Sequence, residues 1–322
     1  MGSTSSILRT HAPKQSERKI KMSTGRGKVL TPSEAVALIK DGDLVAIGGH
    51  ATRGRPMALV REVIRQGRRR LHIAGVNNSI DVDMLVGAGC VETVETADVG
   101  MGELGVAQNY RRANKSGSIQ IIDHSEKTAV GRFHAASMGA PYLPLKMEPG
   151  RDRLAKNPHL RPVTDVFTDE PWMAVEAIRP DVAIIHGHTA DEEGNVQLDQ
   201  EGLHLSSSDI LIAKSARTVI VSVEQIVSAE AIKSRPANTI LSSLEVTCVV
   251  ETPYGAHPCS CDGRYTHDQE HLDRYITASA TAAGFERWLG DYVRSPADHY
   301  DYLKFIGMKR LMEISTKRLT RQ

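Results

Sequence analysis

From Thr31 onward the apolar positions fall into short continuous runs, separated by stretches in which they recur at helical spacing. Glycine or proline stands at most of the changeovers. Thr31-Pro32-Ser33-Glu34 supplies an N-cap, a proline at N1 and a glutamate at N3. That capping box predicts a helix through Ala35, Val36, Leu38 and Ile39, ending at Asp41-Gly42. Leu44-Val45-Ala46-Ile47 is a continuous apolar run, as a parallel strand buried on both faces requires, and Gly48-Gly49 ends it. Pro56 opens a second helix through Leu59, Val60, Val63 and Ile64, closed by Gly67. The same alternation predicts strands over 71–76, 91–99 and 119–123, and helices over 81–86, 104–114 and 127–138. Further on, 182–185, 218–223 and 246–250 read as strands, and 207–214 and 229–233 as helices. The stretch 269–318 reads as helical, punctuated by Pro296 and Gly307. Residues 148–164 hold Pro149, Pro158, Pro162 and several basic residues and read as a long loop. Regular β-α alternation of this kind implies an α/β fold with an open, mostly parallel sheet and helices on both faces.

Composition narrows the class. The chain has 322 residues, of which 40% are apolar and 25% charged, ordinary values for a folded domain. No run approaches the roughly 20 apolar residues a membrane-spanning helix needs. The formal charge of +1 hides an asymmetry: residues 1–28 carry seven Lys/Arg against one Glu, so the remainder is net acidic. Residues 1–27 therefore read as a disordered basic tail and 28–322 as the folded α/β domain, mainly helical from about 269. The tail lacks interleaved aromatics, which argues against nucleic acid, and lacks the apolar core of a secretory signal. Four cysteines, Cys90, Cys248, Cys259 and Cys261, are too few for a disulfide scaffold and point to a reducing cytoplasm. His257-Pro258-Cys259-Ser260-Cys261 lacks the spacing of a zinc site, so no metal is expected. His186 and His188 alternate on one face of an apolar strand and read as hydrogen-bonded pocket histidines.

In open α/β sheets ligands bind beyond the carboxyl ends of the strands, which directs attention to the strand-to-helix loops. The first runs from Gly48-Gly49-His50 through Arg53-Gly54-Arg55-Pro56. Paired glycines let a ligand approach the backbone and leave N–H groups able to stabilise an oxyanion. Arg53 and Arg55 add positive charge suited to carboxylate or phosphate. The same loop is also readable as a tight turn with two solvated arginines.

This segment resembles the signature of the first subunit of family I CoA-transferases, in which an acidic-Gly start and an apolar run lead to Gly-Gly-Phe and Gly-x-Pro. Every element is present except the phenylalanine, which is His50. The resemblance spans about 28–314 and includes Asp83-Met84-Leu85-Val86-Gly87, His134-Ala135-Ala136, Pro141-Tyr142-Leu143-Pro144 and Asp181-Val182-Ala183-Ile184-Ile185-His186. Pro253-Tyr254-Gly255-Ala256-His257-Pro258, Tyr265 and the 298–303 region look like the A-type chain of the glutaconate enzymes. The resemblance implies a reaction in which a glutamate attacks an acyl-CoA thioester and passes CoA to a second carboxylic acid through a glutamyl-CoA intermediate. It places that glutamate on a B subunit, within a heterotetramer. Coenzyme A thioester is then a substrate, with no tightly bound cofactor. Gly48 and Gly49 become catalytic candidates, with His50, Arg53, Asn77 and Gly102 as substrate-binding candidates.

Two alternatives stay open. Glu126, after Asp123 at a strand's end, reads as a helix N-terminal carboxylate favoured by the dipole, or as an acid/base. In the second case the chain resembles relatives that act as acyl-CoA hydrolases and cleave carbon–carbon bonds in ring degradation. Separately, Gly100-Met101-Gly102-Glu103-Leu104-Gly105 with Asp123 downstream matches a dinucleotide-binding pattern. Glu92, Glu95 and Asp98 on the preceding strand, and Glu103 beside a would-be pyrophosphate, oppose a nicotinamide oxidoreductase.

Overall fold

A computed structural model describes residues 27–147, 156–199 and 207–319. The expected basic tail lies outside the described residues except for Gly27. In chain order the strands are β1 (Leu44–Ile47), β2 (Leu71–Ala74), β3 (Asn77–Asn78), β4 (Val91–Thr96), β5 (Asp98–Val99), β6 (Gln120–Asp123) and β7 (Tyr142–Lys146). They continue with β8 (Leu160–Thr164), β9 (Pro171–Glu176), β10 (Val182–Ala190), β11 (Val196–Gln197), β12 (Thr218–Ile226), β13 (Thr239–Leu241) and β14 (Cys248–Glu251).

Seven strands pair in parallel in the order β6-β4-β2-β1-β10-β12-β14. The short β11 and β13 extend one end of β10 in antiparallel fashion. From β1 the chain builds outward through β2, β4 and β6, then returns to the other side of β1 with β10. The strand order thus reverses between β1 and β10, and the crevice at that switch point is where an open sheet presents its ligand site.

Side chains alternate across the sheet and feed two cores. Val45, Ile47, Ile73, Val182, Ile184, Ile220 and Val250 face the helices Pro32–Val36, Met57–Arg65, Ile80–Gly87 and Gln269–Ser279. Ala46, Ala74, Ala183, Ile185, Val221 and Val249 face Glu126–Ser137 and Ser207–Ser215 through Ala129, Phe133, Ile212 and Ala213. The predicted sheet with a helical layer on each face is borne out. The C-terminal stretch holds Gln269–Ser279, Ala282–Leu289, His299–Ile306 and Met308–Leu319 as helices. No helix among the described residues is long and apolar enough to cross a membrane.

Three local expectations need correction. The stretch read as a loop over 148–164 contains β8, while 148–155 lies outside the described residues. With β7 and β9, β8 forms an antiparallel sheet in the order β7-β9-β8. Pro144 and Pro162 occupy its two edge strands and Pro171 the first position of the middle one, the places where a missing N–H is tolerated. The strand expected over 91–99 breaks at Ala97, and β5 pairs instead with β3. The helix expected from 104 begins at Gln108, because Gly102–Leu104 is a 3₁₀ turn ended by Gly105 at φ +132°.

Buried polar groups fasten the layers. Glu95, at the end of β4, lies 3.0 Å from His72 and from His124 and is paired with Arg132 on the helix Glu126–Ser137. Burial, with the nearby Arg132 charge, lowers the His72 pKa to about 4.

Ile184 is 1% exposed in the larger core. Ile184→Ala is expected to cost about 2–5 kcal/mol, read as a lower urea midpoint at an unchanged slope.

Candidate active site

The turn after β1 sits at the switch point, and its backbone is held from three directions. Gly48 N–H donates to Ile184 O at 3.0 Å, carrying the β1-β10 ladder one residue further. Gly49, at φ +91°, donates its N–H to Asp209 Oδ1 at 2.7 Å. Ala51 N–H donates to Asn77 O, Gly54 N–H to Ser260 O, and His50 and Arg53 exchange backbone hydrogen bonds at 2.9 Å. Beneath the turn Arg55 is fully buried. It donates to Gly48 O (2.8 Å) and Ala51 O (2.9 Å) and pairs with the equally buried Asp81 at 3.2 Å.

Two expectations are therefore corrected. Neither glycine amide faces outward as a free oxyanion donor: one is consumed by the ladder, the other by a carboxylate delivered from the first turn of Ser207–Ser215. Arg55 is a structural strut rather than a solvated cation. Arg53, by contrast, keeps a half-exposed guanidinium, 3.3 Å from Asp262. The glycines matter for space. A Cβ on Gly48 would meet Ile185 Cγ2 at 2.7 Å and Asp209 Oδ1 at 2.8 Å, and one on Gly49 would meet Arg53 O at 2.8 Å.

A small cleft of ≈ 40 Å³ opens beside the turn, lined in part by Gly49, His50, Arg53, His186, His188 and Asp209. It borders the carboxyl ends of β1 and β10. His50 Nε2 lies 3.1 Å from Asn77 Nδ2, so these two candidates come together. Gly102 opens the 3₁₀ turn that follows β5, and β5 pairs with the strand carrying Asn77. Glu126 is exposed at the start of the helix after β6, capped by Ser125. Three strand spacings separate β6 from β1, about 14 Å, so the structure does not bring Glu126 to the glycine turn.

The histidines are pocket residues, as expected. His186 Nδ1 lies 2.9 Å from Ser222 Oγ, and its Nε2 lies 2.8 Å from Glu224 Oε1. His188 Nδ1 accepts from Asp199 N–H at 2.8 Å. Among the described residues, one group of potential metal ligands lies close together: His186, Glu224 and Cys261. Glu224 Oε1 already accepts from Tyr265 O–H (2.7 Å) and Gly255 N–H (3.1 Å), so its valence is met without an ion. His257 uses both ring nitrogens on Tyr302 and Asp268, away from any cysteine ligand role. All four cysteines are free and buried.

Asp209 was missed by sequence reading. Nothing local marks it, and only the fold carries its helix to the glycine turn. Burial pushes its carboxyl up to about 6, against the Gly49 N–H and the charges of Arg55 and His186, which pull the other way.

The glycine pattern at 100–105 does not form a dinucleotide turn, since no helix follows its third glycine until Gln108. Residues 29–252 match the model of the coenzyme A transferase family. The chain belongs to that family. It is 35% identical to an uncharacterized protein of Archaeoglobus fulgidus over 89% of this chain, which spans only 64% of that protein's length. It is 31% identical to the A subunit of glutaconate CoA-transferase from Acidaminococcus fermentans, over 89% of this chain and 94% of that one. The crystal structure of that glutaconate coenzyme A-transferase aligns with a TM-score of 0.82, covering 89% of this chain and 95% of the other. The IpdA chain of the cholesterol ring-cleaving hydrolase of Rhodococcus jostii is 28% identical over 87% of this chain and 96% of its own. The expected A-type chain of a family I CoA-transferase is thus borne out in family and in fold.

Gly48→Ala is expected to destabilise by about 1–3 kcal/mol, seen in the urea midpoint, because Ile185 and Asp209 must both shift. Asp209 has its pKa raised from 3.8 to about 6. Its contribution to stability is therefore fully present below pH 4 and is lost as pH rises through 6. The gap in unfolding free energy between pH 4 and pH 7 should shrink by about 2 kcal/mol in Asp209→Asn. An unchanged gap would show that burial does not govern this carboxyl.

Proposed function

We propose that this chain is the A-type half of a two-subunit CoA-transferase, which moves CoA between an acyl-CoA and a carboxylic acid. The observation that carries the reading is the coincidence of the Gly48-Gly49 turn with the switch point of the sheet, in a chain of this family. The cleft there is too small for a CoA thioester and admits only the end of a group. A half-site of that size fits a catalytic crevice completed by a B subunit, in a heterotetramer, with the attacking glutamate supplied by the partner. The carboxylates lining this cleft, Asp209 and Asp262, are committed to Gly49 and Arg53. Free, buried cysteines support a reducing cytoplasm as its compartment.

In this reading Gly48 and Gly49 act through the shape of the turn, keeping the wall flat enough for an acyl group. Arg53 holds a substrate carboxylate in exchange for Asp262. His50 with Asn77 lines the acyl end, and Gly102, in the turn after β5, is assigned to the same substrate. Dicarboxylic or keto acids suit such a site, since Arg53 offers a planar two-pronged donor to a second carboxylate. The second reading, a ring-cleaving acyl-CoA hydrolase with Glu126 as acid/base, is favoured by the similarity to the Rhodococcus hydrolase and by the exposure of Glu126.

The test uses the chain purified with its B subunit. Exposure to acyl-CoA followed by borohydride should abolish transfer, while borohydride alone should not, because only the glutamyl thioester is reducible. Acyl-CoA loss without such sensitivity, and without a carboxylic acid acceptor, would favour hydrolysis. Arg53→Gln should raise KM for a dicarboxylic acceptor roughly tenfold, the effect of losing about 1.4 kcal/mol, and leave a monocarboxylic acceptor nearly unaffected.

A further inference from the structure

A second cleft, ≈ 590 Å³, opens at the carboxyl ends of β10 and β12. Its lining includes Thr189, Gln225, Asp199, Arg235 and Arg264. Thr189 and Gln225 are register partners on adjacent parallel strands. Asp199 is the sole acidic residue among those lining the cleft, and both arginines converge on it. Arg264 Nη2 lies 2.9 Å from Oδ2, and Arg235 Nη1 lies 3.6 Å from Oδ1. Two guanidinium groups bring ten N–H donors to a single carboxylate, so most are left for another acceptor. Arg264 Nε is buried and has no partner among the described residues. Arg235 is anchored through its carbonyl, which accepts from Gln197 Nε2 at 2.8 Å, leaving its half-exposed side chain facing the cleft.

We propose that Arg235 and Arg264 form an anion-binding site for phosphate or carboxylate oxygens, with Asp199 as the resident competitor that an incoming anion displaces. The charge balance favours this: two cations and one carboxylate leave the cleft net positive. Guanidinium forks match the paired oxygens of phosphate and carboxylate. The site is joined to the cleft at the glycine turn through His188, which lines that cleft while its Nδ1 lies 3.2 Å from Asp199 Oδ2. A ligand lying across the carboxyl edge of the sheet would reach both. The source of the anion, a phosphate of coenzyme A or the far carboxylate of a dicarboxylic acyl chain, rests on the transferase reading. The site itself does not.

Titration calorimetry on the full chain tests it, with inorganic pyrophosphate as the first probe. Arg264→Gln and Arg235→Gln should each weaken pyrophosphate binding roughly tenfold, one lost charge-assisted contact apiece. Asp199→Asn should tighten it about fivefold by removing the competitor, a gain that loss of a merely structural ion pair would not produce. If Arg264→Gln fails to fold, the exposed Arg235 carries the same comparison. Coenzyme A is then set against 3′-dephospho-CoA and pantetheine, and glutarate against butyrate. Dependence on the phosphates, or on the second carboxylate, names the source. Pyrophosphate binding with the expected variant pattern, but no preference within either series, would keep the anion site and count against the transferase reading. No binding of pyrophosphate or glutarate, or affinities unchanged in all three variants, overturns the proposal.

Discussion

The buried pair of Arg55 and Asp81 holds the site in shape. Its two side chains lie 3.2 Å apart with no solvent exposure. Such a pair is tolerable only when most of the donors and acceptors around it are used, and here Arg55 Nη2 and Ser79 Oγ remain buried without a partner among the described residues. Arg55 spends two donors on the carbonyls of Gly48 and Ala51. Asp81 accepts from Asn78 Nδ2 and from Ser79 N–H. One interaction thus ties the loop after β1 to the first turn of the helix Ile80–Gly87, just after β3. That lets Ala51 keep its positive φ and brings Asn77 against His50.

The position of the site follows from topology. Because the chain builds outward from β1 on one side and returns on the other, the loops at the ends of β1 and β10 diverge and leave a crevice between them. The small residues Ala46, Ala74 and Ala183 mark one face of the central strands, and the bulkier Ile47, Ile73 and Ile184 mark the other. The helix Ser207–Ser215 packs against the small-residue face, and Asp209 in its first turn meets Gly49. The same closeness explains why the Gly49 amide is occupied, whereas that of Gly48 is taken by the β1-β10 ladder.

The C-terminal helices are fastened by a second buried polar network. Arg61 donates to His257 O at 2.8 Å, lies 3.3 Å from His299 Nδ1, and stacks over the ring of Tyr302 at 3.7 Å. Asp268 caps the helix Gln269–Ser279 and pairs with His257 and Arg310. Desolvation lowers the pKa of Arg61 to about 10 and that of His299 to about 3, where burial acts together with the Arg61 charge. The segment between His257 and Asp268 also carries Asp262 of the glycine-turn cleft, so this network sets the packing of the helix Met57–Arg65 and one wall of the cleft together.

Much of this was legible in the residues themselves. The capping box at Thr31 and the run Leu44–Ile47 each encode their element within a few positions; the structure repeats the cap and the strand, while the helix ends at Val36, short of the expected Ile39. The Gly48-Gly49 turn was visible because glycine pairs at a strand end have few other uses, and His50, Arg53 and Asn77 do gather there. The antiparallel strands β7, β8 and β9 were not legible: their prolines erase the local strand signal even where β8 and β9 form a local hairpin, and β7 pairs with β9 only from beyond it, Tyr142 opposite Glu176. Whether an amide is free was equally beyond the sequence. Gly49 and Asp209 stand 160 positions apart, and only the packing of a helix against the sheet decides that one satisfies the other. Local propensity is written in neighbouring residues, whereas burial, charge pairing and hydrogen-bond satisfaction are properties of which surfaces meet.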